Sequence, residues 1–336
     1  MKQQLLLWGI VLSLFACSTP KQLTLDSIFN SHFDHKMISS GPNYPDFNTR
    51  KDSIDLFLIS LHEGYTKEKF MQKVGWNDSD LQEKINLLTS KQWLTGIEDL
   101  YPTVFIANTE QGKSLFNYSL PIALEIVASI ESQLHAIRLE YEQLDLAKIY
   151  SFEAMSFLIL SNVLLDNWQI NNVESKFLKA PKRPERHGKN YYYALFQNES
   201  YPKEAFGIYG NQYRSINDSL TIAVYGNNRN LVTSQLNDSV FVEDLIENLP
   251  TINDSDNQKL SLMADNFSAK LIEILETNLA YSKHAYRNMG YAKAISFEEF
   301  YIWWYHFIYT KATNMLEENG LLAVPETGNF YYTISN

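Results

Sequence analysis

Between Ser296 and Leu316 the chain places Phe300, Trp303, Trp304, Phe307, Ile308, Met315 and Leu316 at helical spacing. His306 and Lys311 are almost the only strongly polar residues between Tyr301 and Thr313. A surface helix keeps one face polar, and this one has none to spare. It therefore predicts a helix at the centre of a core, opened by the capping box Ser296-Phe-Glu-Glu299. Any fold for this chain has to be wrapped around it. With 336 residues there is enough chain to do so, and an apolar fraction of 45% is that of a globular protein.

Other helices follow from the same periodicity. Ile54, Phe57, Leu58 and Leu61 share a face; Thr66 caps a run from Lys67 to Val74; Asn77-Asp78-Ser79 caps a third with Leu81, Ile85 and Leu88 on one side. Trp93 to Ile97 and Thr103 to Ile106 then read as two short strands around a turn. A long helix is expected from Ser119-Leu-Pro121, with Pro at an early position, through Leu144. A second, Ser151 to about Asn167, is apolar almost all round, which means burial.

Lys179 to Lys189 is a Pro-punctuated basic stretch that reads as a solvated connection. Beyond it the period changes to two. Tyr191–Phe196, Ala205–Tyr209 and Leu220–Tyr225 are expected strands, and residues 240–249 and 258–282 return to helical spacing. Placing Ile85 on Thr313 aligns Leu88 with Leu316, Leu94 with Leu322 and Ile106 with Ile334, which suggests that the chain ends in a second helix followed by a hairpin.

The first twenty residues concern export. Lys2 precedes an apolar stretch, Leu5 to Phe15, of signal-peptide length, well short of the roughly twenty residues that span a bilayer. It ends in Leu14-Phe15-Ala16-Cys17, which resembles the lipobox of bacterial lipoproteins, with Phe15 bulkier than usual. The resemblance implies cleavage before Cys17, lipid on its thiol and acylation of the new amino group. Cys17 is the single cysteine, so no intramolecular disulfide or Cys-based metal site competes for it. Ser18 after the anchor resembles lipoproteins sent to the outer membrane, and the lack of an acidic run resembles those left facing the periplasm.

Three helices followed by a hairpin, at 50–116, resemble a winged-helix module. In that family the third helix enters the DNA major groove. Here Asn77 to Lys91 carries Asp78, Asp80 and Glu83 against Lys84 and Lys91, a poor surface for phosphates. The formal charge of −11 becomes −12 once Lys2 leaves with the signal, and no nucleic-acid partner is expected.

No strong catalytic motif is present, and neither a cofactor nor a metal site is expected. His284, Glu298, Glu299 and His306 come nearest to a constellation, but capping and the helix dipole already account for the two glutamates. Tyr191, Tyr193 and Tyr209, with Tyr201, Tyr213 and Tyr225, form an aromatic set that would stack on a glycan or grip a protein if exposed, and is ordinary core if buried. Ser27, Ser53, Ser219 and Ser239 follow Asp and precede an apolar residue, which resembles the O-glycosylation acceptor of exported proteins in Bacteroidota-type bacteria. Asp-Ser is equally a common turn or cap.

The expectation is an α+β, mostly helical protein. A signal peptide (1–16), an anchor and tether (17–49) and a winged-helix-like module (50–116) precede a helical region (117–180). A small inserted antiparallel β region (190–230) and a helical region with a C-terminal hairpin (240–336) complete it. Its expected role is a lipid-anchored, non-enzymatic binding module of the cell envelope. A periplasmic hydrolase and an anchored regulator that keeps a winged-helix fold for protein contacts are the alternatives.

Overall fold

The structure, a computed structural model, describes residues 22–180 and 182–335, so the signal sequence and Cys17 lie outside the described residues. The chain is α+β with small sheets. Its first elements already depart from the expected tether. Thr24 caps helix α1 (Leu25–Asn30) by accepting from Ser27 N, and strand β1 (Phe33–Ile38) follows. Burial of Ile28 and Phe33 in the front core is what orders this stretch.

Helices α2 (Ile54–His62), α3 (Lys67–Val74) and α4 (Asp78–Ser90) form as the apolar spacing requires, with Thr66 and Asn77 as side-chain caps. The hairpin behind them pairs β2 (Leu94–Thr95) with β3 (Tyr101–Pro102). The expected second strand at 103–106 is not part of it. Instead β4 (Phe105–Ala107) runs parallel to a strand nearly ninety residues later, because Phe105 and Ala107 face one core and Ile106 the other.

Helix α5 spans Thr109–Tyr141 and begins earlier than Pro121 suggested. Asn108 caps it and Gln111 returns a bond to the Asn108 N–H, so the capping box fixes the start at 109 and Pro121 lies inside. A Pro inside a helix costs about 3 kcal/mol, which the burial of Leu115, Ile122, Ala123 and Ile126 offsets. By length and composition α5 is apolar enough to cross a membrane. Part of its apolar surface is taken up by the core, while Leu120, Leu124 and Leu139 are exposed together with Glu110, Lys113 and Glu131.

The apolar run after Ser151 forms α6 (Phe152–Phe157), which widens directly into a π-helix at Leu158–Val163; α7 (Ile170–Asn172) likewise runs into a π-helical turn at Val173–Phe177. The basic stretch closes a small hairpin, β5 (Glu185–Arg186) with β6 (Lys189–Asn190). It is not wholly solvated, since Arg186 is buried.

Strand β7 (Tyr192–Gln197) is buried at every position and reads as a near-continuous apolar run for that reason. Tyr192, Ala194 and Phe196 enter the main core, whereas Tyr193 and Leu195 enter the front one. It is the central strand of a β1-β7-β4 sheet, antiparallel to β1 and parallel to β4. Residues 205–207 form a 3₁₀ turn rather than a strand, and β8 (Gly210–Asn217) with β9 (Leu220–Gly226) makes the next hairpin. The β region is thus not one inserted sheet. β7 belongs with β1 and β4, while β8 and β9 lie in a second sheet of order β10-β11-β9-β8.

The short α8 (Val232–Gln235), α9 (Ser239–Ile246) and β10 (Thr251–Ile252) lead to the long α10 (Asp254–Thr277) and to α11 (Leu279–Asn288). Helix α12 (Phe297–Glu318) then carries the aromatic run, and every position from Glu299 to Thr310 is buried. The last strand, β11 (Asn329–Ser335), pairs antiparallel with β9 and parallel with β10. No C-terminal hairpin forms, because Leu322 packs into the core without joining a strand.

Candidate functional site

A cleft of about 750 Å³ opens where β1, the 204–213 segment and α12 meet. Its walls include Lys36, Asp166, Glu204, Tyr209, Arg229, Trp303 and His306. That volume lies within the range of roughly 300–1,000 Å³ typical of small-molecule sites.

Asp166 stands between the two π-helical segments, where the backbone departs from the i→i−4 ladder, a distortion common at functional sites. Asn162, inside the first, trades amide bonds with Asn211 on β8 at 3.0 and 2.9 Å. The Asn211 amide also donates to Asp166 Oδ2 at 2.9 Å. Burial pushes the Asp166 carboxyl up to about 7, against the pull of Arg229 and of the Asn211 bond.

Arg229 is held from three sides. Nε donates to Gly226 O at 2.8 Å, Nη1 to Asn211 O at 3.2 Å, and Nη2 lies 3.4 Å from Glu204 Oε1. The guanidinium rests against Gly210, where an added Cβ would come within 3.0 Å of Nη2. A side chain at 210 would press on the guanidinium, which glycine avoids. Glu204 is 2% exposed. Its Oε2 pairs with Lys36 Nζ, while Oε1 has no hydrogen-bond partner among the described residues, the Arg229 contact being an ion pair outside hydrogen-bond geometry. Lys36 continues the row toward Asp34, 3.8 Å away. Burial alone would raise Asp34, but Lys36 and bonds from Ala205 N, Asn198 and Asn230 hold it below the usual carboxylate range.

Helix α12 supplies the remaining wall. His306 Nδ1 donates to Ile302 O at 2.8 Å, since a carbonyl can only accept, so the neutral ring keeps a lone pair on Nε2. Burial lowers its pKa to about 4 and keeps it neutral near pH 7. Nε2 has no protein partner among the described residues. Trp303 packs edge-on against Phe196 with ring centroids 5.7 Å apart. It is buried, yet its indole N–H meets no acceptor among the described residues. The neighbouring Trp304 donates to Leu115 O at 3.0 Å.

Of the four residues grouped by sequence, only His306 reaches this cleft. His284 is exposed and touches Asn288; Glu298 and Glu299 line a separate cleft of about 540 Å³ that also contains Arg186. Among the described residues no group of three or more His, Cys, Asp or Glu could hold a metal ion.

The aromatic set does not form one exposed face. Tyr191 and Tyr193 are buried in the front core, where Trp93 Nε1 donates to Tyr191 OH at 2.9 Å and Tyr193 OH meets His35 Nδ1 at 2.8 Å. Tyr209 is 2% exposed, belongs to the main core and presents part of its surface to the cleft. Tyr201 and Tyr213 are the exposed members. Of the acceptor serines, Ser219 and Ser239 are exposed in the β8–β9 turn and at the start of α9; Ser27 and Ser53 are half-buried.

Asp166, Glu204, Arg229 and Lys36 were not singled out by sequence. The one usable signal was Asp166 itself, a lone acid closing the apolar run Leu158–Leu165. No family model matches the chain, and neither a curated protein nor a solved structure is similar to it.

Proposed function

We propose that this chain is a lipid-anchored protein of the bacterial cell envelope, held at the outer membrane through Cys17 and facing the periplasm, whose body binds a small polar ligand in the α12 cleft. The observation that carries the binding reading is the Trp303 indole N–H, buried at the cleft wall without an acceptor among the described residues. Leaving a buried donor unsatisfied costs about 1–3 kcal/mol, and a ligand that supplies the acceptor recovers it. Tryptophan N–H groups usually find a partner when buried.

The test is a thermal-shift screen of the full chain in mild detergent against small envelope solutes. At least one compound should raise the midpoint, and Trp303→Phe and Arg229→Met should each abolish that rise. A response that survives in both variants would put the ligand elsewhere.

A second reading, a periplasmic hydrolase, draws on Asp166, whose carboxyl lies close to neutrality in the same cleft as the free Nε2 of His306. Groups with such values suit proton transfer at working pH.

For the front of the chain we propose a winged-helix-like module used for contacts with protein and not with DNA. Three helices, the second and third capped by Thr66 and Asn77, and the β2–β3 hairpin support that reading. So does the exposed side of α4, which carries Asp78, Gln82, Glu83 and Asn86.

A further inference from the structure

We infer that the cleft is built for a neutral, hydroxyl-rich ligand, a mono- or oligosaccharide, and not for an ion. This rests on the reading of the cleft as a ligand site and names the ligand's chemistry.

Charge excludes the simple ions. Each cation at the cleft wall already faces a carboxylate: Lys36 and Arg229 share Glu204, and Arg183 Nε meets Glu174 at 2.8 Å. An anion would have to pull Lys36 or Arg229 from Glu204, which is buried, and leaving that charge unpaired is strongly unfavourable. A cation would have to compete for the same carboxylate against two resident cations. Asp166 is no full anion either, since burial pushes its carboxyl up to about 7 and leaves it only partly ionised near neutrality, and its Oδ2 already accepts from the Asn211 amide at 2.9 Å.

What the cleft leaves open is hydrogen bonding of both signs. The Trp303 N–H is a donor without an acceptor; Glu204 Oε1 and His306 Nε2 are acceptors without donors among the described residues. A hydroxyl both donates and accepts, so a ring carrying several satisfies all three where a simple anion or cation satisfies one kind only. Trp303 and Tyr209 add apolar ring surface beside these polar groups, the mixture of aromatic walls and few fixed polar atoms that small-molecule sites use.

Titration calorimetry on the full chain in detergent tests this with maltotriose, cellotriose and fully N-acetylated chitotriose as neutral probes, and citrate and spermidine as charged ones. At least one trisaccharide should bind, with an affinity that changes less than about twofold between roughly 0.05 and 0.5 M salt, because no net charge is screened. Trp303→Phe and His306→Phe should each weaken it by about tenfold or more, the loss of roughly one hydrogen bond. Binding of citrate or spermidine alone, lost in Trp303→Phe, would overturn the sugar assignment and leave the cleft as the ligand site. Binding of none of the five probes would overturn the sugar assignment too, while the thermal-shift screen decides the broader reading separately. The response of the unaltered protein to the five probes decides the assignment even if a variant fails to fold.

Discussion

Arg186 Nη2 donates to both carboxylate oxygens of Glu299, at 2.6 and 2.8 Å, and so joins the β5–β6 hairpin to the first turn of α12. The side chains are 2% and 5% exposed. Removing one member of a buried pair strands the other, at a cost of about 3–5 kcal/mol. Arg186→Met should lose that much stability by urea denaturation. The double variant Arg186→Met/Glu299→Leu should recover most of it. A single variant as stable as the parent would show that the pair is not buried in solution.

Asp166 makes stability depend on pH in a direction opposite to ordinary surface carboxylates. Its folded pKa, near 7, lies above the ordinary value of 3.8, so between these limits the folded state holds a proton that the unfolded state has released. Its stabilising contribution is complete below about pH 4 and fades as pH rises through 7. The gap between the two values corresponds to a change on the order of 4 kcal/mol. Asp166→Asn removes this dependence, so the variant should gain on the parent as pH rises from about 4 to about 8 in thermal melts. Parallel curves for the two proteins would place the carboxyl in water.

His62 and His306 run the other way. Burial lowers both to about 4, and the unfolded chain takes up protons below 6.5 that the folded chain refuses. Each therefore supports the fold above 6.5 and stops doing so as pH falls toward 4. His62→Gln should flatten the acid limb of the stability profile, read by thermal melts between about pH 4 and 7. An unchanged acid limb would mean His62 protonates in the folded state.

How much of this was legible in the chain depends on sequence distance. The burial of α12 could be read directly, because Phe300 to Ile308 carries a large apolar or aromatic side chain at every position but His306. Ser296 caps Glu299 N as its motif indicated, although the Glu299 carboxylate goes to Arg186 and does not close the capping box. Sheet pairing could not be read. Phe33 lies opposite Gln197, and strands so far apart in sequence carry no turn signal to announce one another. The cleft was hidden for the same reason. Glu204 and Arg229 sit in loops whose composition suggests turns, and only the meeting of two sheets with α12 turns them into a row of charges beside Asp166.

Cys17 is the one acceptor for lipid that the resemblance to lipoproteins identifies. Under the proposed anchoring, Cys17→Ala should release the protein from the membrane fraction after a high-salt wash, since two or three acyl chains at about 0.8 kcal/mol per buried methylene would be what holds it there. Retention of the variant would overturn the anchor.

Helix α4 is the one a winged-helix protein would lay in the major groove. Affinity for duplex DNA comes largely from Lys and Arg that displace counterions from phosphates. Here Lys84 is held by Asp52 and Glu83 at 3.0 Å each, and Lys91 by Asp46 at 2.6 Å, so both cations near this surface are already neutralised. Asp78 and Glu83 remain on the exposed side, and the whole chain is acidic. The full chain should therefore show no measurable binding to duplex DNA at about 0.15 M salt in a fluorescence-anisotropy titration. Replacing the acids with Asp78→Lys and Glu83→Lys should introduce weak binding that falls steeply as salt is raised. Micromolar binding by the unaltered chain with that same salt dependence would show that α4 does meet nucleic acid.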